Sequence, residues 1–222
     1  MSKEIQIHSE KCKKVTNKSA AEEIQKRLKC GNKNFMKGKL TNEQEINEQR
    51  IRWENTQKPF AIVLSCADSR VIPELIFDTE LGELFVVRVA GNIANISSIA
   101  SIEYAVAVLK CKYILVLGHE ECGAVEEAKK VAVTGKPAPS DNLNQLVGHI
   151  LPAVNTCKCT SSKRKEPSLK NIIIENTYHS ASELVRCSKI LQKAVRKSGV
   201  EIHTGYYHLA SGKVEFDKKS KC

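Results

Sequence analysis

Two short stretches hold the residue types that bind metals and move protons. CADSR presents Cys66, Asp68 and Arg70 at alternate positions, and GHEECG presents His119 and Cys122 around two glutamates. His119-Glu120 could open the zinc-protease pattern H-E-x-x-H, in which two histidines one helical turn apart hold the metal and the glutamate is the base. Here the place of the second histidine is taken by Gly123, and a cysteine precedes it. The protease pattern is therefore incomplete, and His119 with Cys122 reads as half of a different metal site.

Taken singly, each residue has an ordinary reading. Cysteine is among the most buried residue types, a lone H-x-x-C is weak, and Asp68 with Arg70 could be a structural ion pair that keeps two buried charges from standing alone. Their joint placement says more. Three apolar bursts, PFAIVLS (59–65), LFVVRVA (84–90) and YILVLG (113–118), are short, continuous and rich in β-branched residues. They read as strands buried on both faces, and the first and third lead directly into CADSR and HEEC. Ligands in open α/β sheets bind at the carboxyl ends of strands. Cys66, His119 and Cys122 would then form a Cys₂His set, which leaves a fourth position open and suits zinc rather than magnesium or calcium. Two thiolates neutralise the ion's formal charge. A carboxylate that orients the bound water gains importance as a result, with Arg70 keeping Asp68 ionised through paired bonds.

The elements needed to position these groups give the fold class: α/β, with a mostly parallel central sheet covered by helices, an N-terminal helical arm and a C-terminal β-hairpin. Residues 1–55 form the arm and 56–222 the α/β zinc domain. Within the arm, Ser19 is an N-cap with Glu22 three residues on, and Gly31-Asn32 is expected to break the run. Ile24, Leu28, Phe35 and Met36 are too few for an independent core, so this segment must lie on something else, such as a second subunit. A helix over 97–111 carries Ile99, Ile102, Ala105, Val106 and Leu109 on one face. More helix is expected over 142–155 and 175–198. VEIHTGYYHLASGKVEF closes the chain as a hairpin turning at Ser211-Gly212.

Composition excludes several classes. The 222 residues, 41% hydrophobic and 27% charged, suit one domain with an appendage. No apolar run is long enough to span a membrane, and the N-terminus lacks a secretory apolar stretch, so a cytoplasmic protein is expected. Nine cysteines, an odd number, favour thiols with a subset as metal ligands over a disulfide framework. Cys157 and Cys159 are spaced too tightly for a C-x-x-C half-site and read as loop thiols. The formal charge of +10 is spread over the N-terminal fifty residues, SSKRKEPS and the KKSK tail, and aromatics are only 5% of the chain. This pattern does not describe a nucleic-acid surface. The charge can still draw in a small anion.

Four ordered strings, CADSRVIPELIF, GELFVVRVAGN, SIEYAVAVLK and LVLGHEECGA, closely resemble the β-class carbonic anhydrases, whose signature is C-x-D-S-R followed by H-x-x-C. The likeness runs from Gln57 to Ala124, with a weaker continuation in GYYHLASGKVEF. It implies one Zn²⁺ per chain on Cys66, His119 and Cys122, with Asp68 and Arg70 as the catalytic dyad. It also implies a lyase that hydrates CO₂ reversibly to bicarbonate and a proton through zinc-bound hydroxide. Gln57, Phe85 and Tyr104 match the CO₂ pocket of the plant-type branch, and the Gly123 N–H would face substrate. Val63 stands where another branch has a tryptophan beside a regulatory bicarbonate site, so that site is not expected even with Arg88 present. Family precedent further implies a homodimer or multiple of dimers gripped by the N-terminal arm, and an Asp68 able to swing from Arg70 onto zinc at lower pH. Glu120 and Glu121 receive no catalytic role and suit a helix start. Two other readings keep part of this picture: a CS₂ or COS hydrolase on the same zinc site, and a non-catalytic zinc-binding or redox module.

Overall fold

The computed structural model describes residues 19–40, 46–160 and 166–217, apart from the side chains of 159 and 160. Five strands form one sheet in the order β2-β1-β3-β4-β5. They are β1 (Ala61–Ser65), β2 (Leu84–Arg88), β3 (Tyr113–His119), β4 (Glu201–Tyr207) and β5 (Val214–Phe216). The first four run parallel, and β5 is antiparallel to β4. Every residue of β1 and β3 is buried, as their unbroken apolar runs require of strands covered on both faces. β2 departs from that expectation. It is the edge strand and is only half-buried from Leu84 to Val87.

Helices close both faces. α1 (Ala20–Met36) is followed by α2 (Ile46–Arg52), the short α3 (Pro73–Ile76), α4 (Ile96–Ala107) and α5 (Gly123–Thr134). α6 (Asp141–Thr160), α7 (Leu169–Cys187) and α8 (Lys189–Lys197) complete the set. α4, α7 and α8 share a core with the sheet in which Ile102, Ala105 and Val106 are buried and Ile99 and Leu109 partly so, the face read from sequence. The helical stretch expected over 175–198 divides at Ser188, where the backbone is extended and the hydroxyl caps the next helix at Leu191 N. Cys157 lies buried in α6 rather than in a loop, and the Cys159 side chain lies outside the described part. The hairpin forms as expected, with Gly212 in the left-handed region between β4 and β5. No helix among the described residues is long and apolar enough to cross a membrane.

α1 begins with the capping box Ser19/Glu22 and packs on the opposite face of the sheet. Leu28 is fully buried there among Val63, Phe77, Tyr113 and Leu115. The arm thus has a partner within its own chain. Gly31-Asn32 does not break this helix. A Cβ at Gly31 would lie 1.7 Å from the Phe77 carbonyl oxygen, so glycine is there for close approach of two backbones. Buried Asn32 donates to the Ile76 and Gly212 carbonyls and accepts from Val214 N, tying α1 to α3 and the hairpin.

Leu28→Ala should therefore cost about 2–5 kcal/mol of unfolding free energy, read from the denaturant midpoint. A loss within about 0.5 kcal/mol, typical of surface sites, would show that α1 does not belong to this core.

Candidate metal centre

Register brings the two stretches together. Ser65 pairs with Leu117 across the β1–β3 ladder, so Cys66, one residue beyond β1, and His119, the last residue of β3, reach the same carboxyl edge. Cys122 follows as the N-cap of α5. The ligand atoms of Cys66, His119 and Cys122 all lie within 4.8 Å of one another, and all three residues are buried. The two sulfurs are 4.0 Å apart. His119 is fully buried, and its Nδ1 meets the Glu120 carbonyl at 2.8 Å, which directs Nε2 inward with no hydrogen-bond partner.

The electrostatics of this cluster suit a cation. Hydrogen bonding from Cys122 holds the Cys66 thiol well below its usual range, against the opposing effect of burial. The same shared bond, with burial, pushes Cys122 up. Burial disfavours the His119 cation, but Cys66, the Glu120 carbonyl and the Asp68 carboxylate together outweigh it and raise the imidazole. One negative charge therefore forms easily and a second only with a positive charge between the sulfurs. A divalent ion supplies that charge, and two thiolates with an unpartnered imidazole nitrogen are a fitting donor set for zinc.

Asp68 sits at the rim. Its Oδ1 accepts from the backbone N and Nε of Arg70, both at 2.9 Å, and its Oδ2 accepts from Nη2 at 2.8 Å. These bonds hold the carboxyl well below the usual carboxylate range. Oδ2 is also 4.0 Å from His119 Nε2. The pair is not buried as the sequence suggested, because the Arg70 side chain is 53% exposed and Asp68 16%. Arg88 crosses from β2 to donate to the Cys66 and Asp68 carbonyls, at 3.2 and 2.7 Å, and so fixes the loop between ligand and carboxylate.

The chain is similar in sequence and fold to known proteins. A family model for carbonic anhydrase matches residues 61–214. A carbonic anhydrase of Mycolicibacterium smegmatis is 33% identical over 86% of this chain and 90% of its own. The chain belongs to the β-class carbonic anhydrase family. Two solved β-carbonic anhydrases share its fold. The Coccomyxa enzyme, solved with acetazolamide, is 25% identical over 77% of each chain with a TM-score of 0.67. The enzyme CcaA is 26% identical over 88% of this chain and 95% of its own, with a TM-score of 0.68. As a β-carbonic anhydrase the chain is a zinc-dependent lyase that interconverts CO₂ with bicarbonate and a proton.

The remaining expected site residues are placed less simply. Gly123 opens α5 and is exposed, with its N–H among the first-turn donors that lack an intrahelical partner. Phe85 and Tyr104 do meet, their rings 6.3 Å apart. However, Phe85 pairs with Ile62, three residues before Ser65 and toward the amino end of β1. Gln57 precedes β1 altogether and is exposed. Within one chain, these three residues and the metal cluster lie toward opposite ends of the strands. Glu120 accepts from Leu209 N at 3.1 Å, a link to the hairpin, and Glu121 is exposed with a left-handed backbone. Sequence reading missed Arg88 as a clamp on the loop and Gly91, whose N–H reaches Cys66 Sγ at 3.3 Å.

Proposed function

We propose that Cys66, His119 and Cys122 hold the zinc and that Asp68, held by Arg70, orients the water that adds to CO₂. The observation that carries this reading is the unpartnered, buried Nε2 of His119, gathered with two thiols and lying 4.0 Å from the Asp68 carboxylate. When bound, zinc supplies the acidity that makes a water nucleophilic near neutral pH. Asp68 accepts a hydrogen bond from that water and leaves a lone pair free to attack carbon. Arg70 keeps the acceptor ionised and fixes its direction through two parallel bonds. The Gly123 N–H, at a helix N-terminus, faces the oxygen on which negative charge grows. Bicarbonate departs and the released proton passes to buffer. Asp68→Asn should retain zinc and lose turnover on the order of 10²-fold in a stopped-flow CO₂ assay. Wild-type turnover in that variant would remove Asp68 from the mechanism.

We further infer a homodimer in which Gln57, Phe85 and Tyr104 of one subunit face the metal cluster of the other. Supporting this, α4 and its C-cap residue carry Ile96, Tyr104 and Val108 at 85%, 48% and 57% exposure, and the Tyr104 ring meets Phe85 on the edge strand β2. Large apolar side chains left exposed on one element are what an association site uses. Val108→Asp should give monomers in sedimentation with zinc retained and CO₂ turnover lost. Monomers with full turnover, or an unaltered dimer, would contradict this arrangement.

A further inference from the structure

Asn176 is fully buried in α7, on the side of the helix that packs over the metal cluster. A buried amide in a helix interior is costly unless its hydrogen bonds are used. Its buried Oδ1 has no partner among the described residues, so one bond offsets this cost: its Nδ2 donates to the Gly91 carbonyl at 2.8 Å. That carbonyl can only accept, so the partner sets the orientation of the amide. The other end of the same glycine donates its N–H to Cys66 Sγ at 3.3 Å. Gly91 is therefore held at one end by a helix 85 positions away and at the other holds the first ligand.

The backbone between these bonds is not relaxed. Gly91 has φ 70° and ψ 15°, and Asn92 follows at φ 45°, with its N–H on Val89 O at 2.9 Å. Left-handed backbone at two consecutive residues, one of them not glycine, persists only where surrounding contacts over-determine it. A Cβ at Gly91 would lie 2.7 Å from Ile150 Cδ1, so the neighbouring helix α6 presses this turn from another side. Without the Asn176 bond, a buried carbonyl would lose its partner, and relief requires the two peptide units that meet at the Gly91 Cα to shift. A shift of that Cα changes the reach of the N–H to the sulfur.

We propose that Asn176 is a positioning residue for the metal centre, holding Gly91 so that its N–H fixes the Cys66 sulfur in place for zinc. The proposal rests on Cys66 being a zinc ligand. Hydrogen-bond partners outside the ligand set orient ligands, and their loss typically weakens metal binding 10–100-fold. Asn176 acts across the Gly91 Cα rather than on the sulfur itself, so the expected effect is near tenfold, the lower end of that range.

The test compares Asn176→Ala with Thr177→Val in the full chain. Thr177 is the next residue on the same helix and equally buried, but its hydroxyl donates only within the helix, to Ile173 O at 2.8 Å. Zinc affinity is measured by competition with a chelator, and the thiolate-to-metal charge-transfer band is recorded on the cobalt-substituted proteins. Asn176→Ala should bind zinc about tenfold more weakly and shift the band, while Thr177→Val alters neither, whatever its melting temperature. Wild-type affinity and band in Asn176→Ala, or equal changes in Thr177→Val, would overturn the proposal. Failure of the wild-type chain to bind zinc would instead sink the ligand assignment beneath it. The wild-type protein loaded with NMR-active cadmium tests the link without any variant. The Gly91 amide proton should couple to the metal through the sulfur, and absence of coupling would also overturn the proposal.

Discussion

Ser65 lies opposite Leu117 across the parallel β1–β3 ladder, and the chemistry of the carboxyl edge follows from that pairing. The pairing sets how far each strand reaches toward that edge, so a slip of one residue would move Cys66 and His119 apart along the strands by about 3.3 Å. The register is enforced by burial. Ile62 and Leu64 point into one core with Ile114 and Val116, while Ala61 and Val63 point into the other with Tyr113, Leu115 and Leu117. Strands that must bury both faces have little freedom to slide. The levels of the two strand ends that carry Cys66 and His119 thus follow from the packing of the sheet.

What the sheet brings together, the loops and helices then hold. The cluster has room for one negative charge of its own and resists a second, which makes a divalent cation its natural complement. Three groups hold the Cys66–Arg70 loop. Arg88 takes the loop carbonyls, the Gly91 N–H takes the sulfur, and Arg70 folds back on Asp68 so that the carboxylate stays ionised at the rim. The proposed ligands are buried while the proposed water-orienting Asp68 is partly open at the rim, which is the division a hydration reaction needs. The metal must be kept and the water, substrate and proton must exchange.

The sequence made the local parts of this design readable. Continuous apolar bursts marked the strands, because double burial leaves no alternation to disguise them, and the polar residues that end two of them marked the site. Features that depend on distant neighbours were not readable. Gly31-Asn32 looked like a helix break because glycine and asparagine favour turns, yet the pair serves a close backbone crossing at Phe77 and three bonds to distant backbone. The half-exposure of β2 depends on its place at the edge of the sheet, which strand composition does not reveal. Asn176 lies far from every motif and meets the site only through Gly91, so no spacing pattern could have pointed to it. Phe85, Tyr104 and Gln57 could be named as a set but not located relative to the ligands, because their separation follows from register.

The central claim is that one zinc on the buried cysteines and histidine carries CO₂ hydration. The most direct measurement is metal content and stopped-flow CO₂ turnover on the same preparations of wild-type and Cys66→Ala protein. The account predicts stoichiometric zinc and rapid hydration in the wild type, with both lost together in the variant. Rapid hydration by a Cys66→Ala protein that has lost its zinc, or a zinc-replete wild type that does not hydrate CO₂, would contradict it.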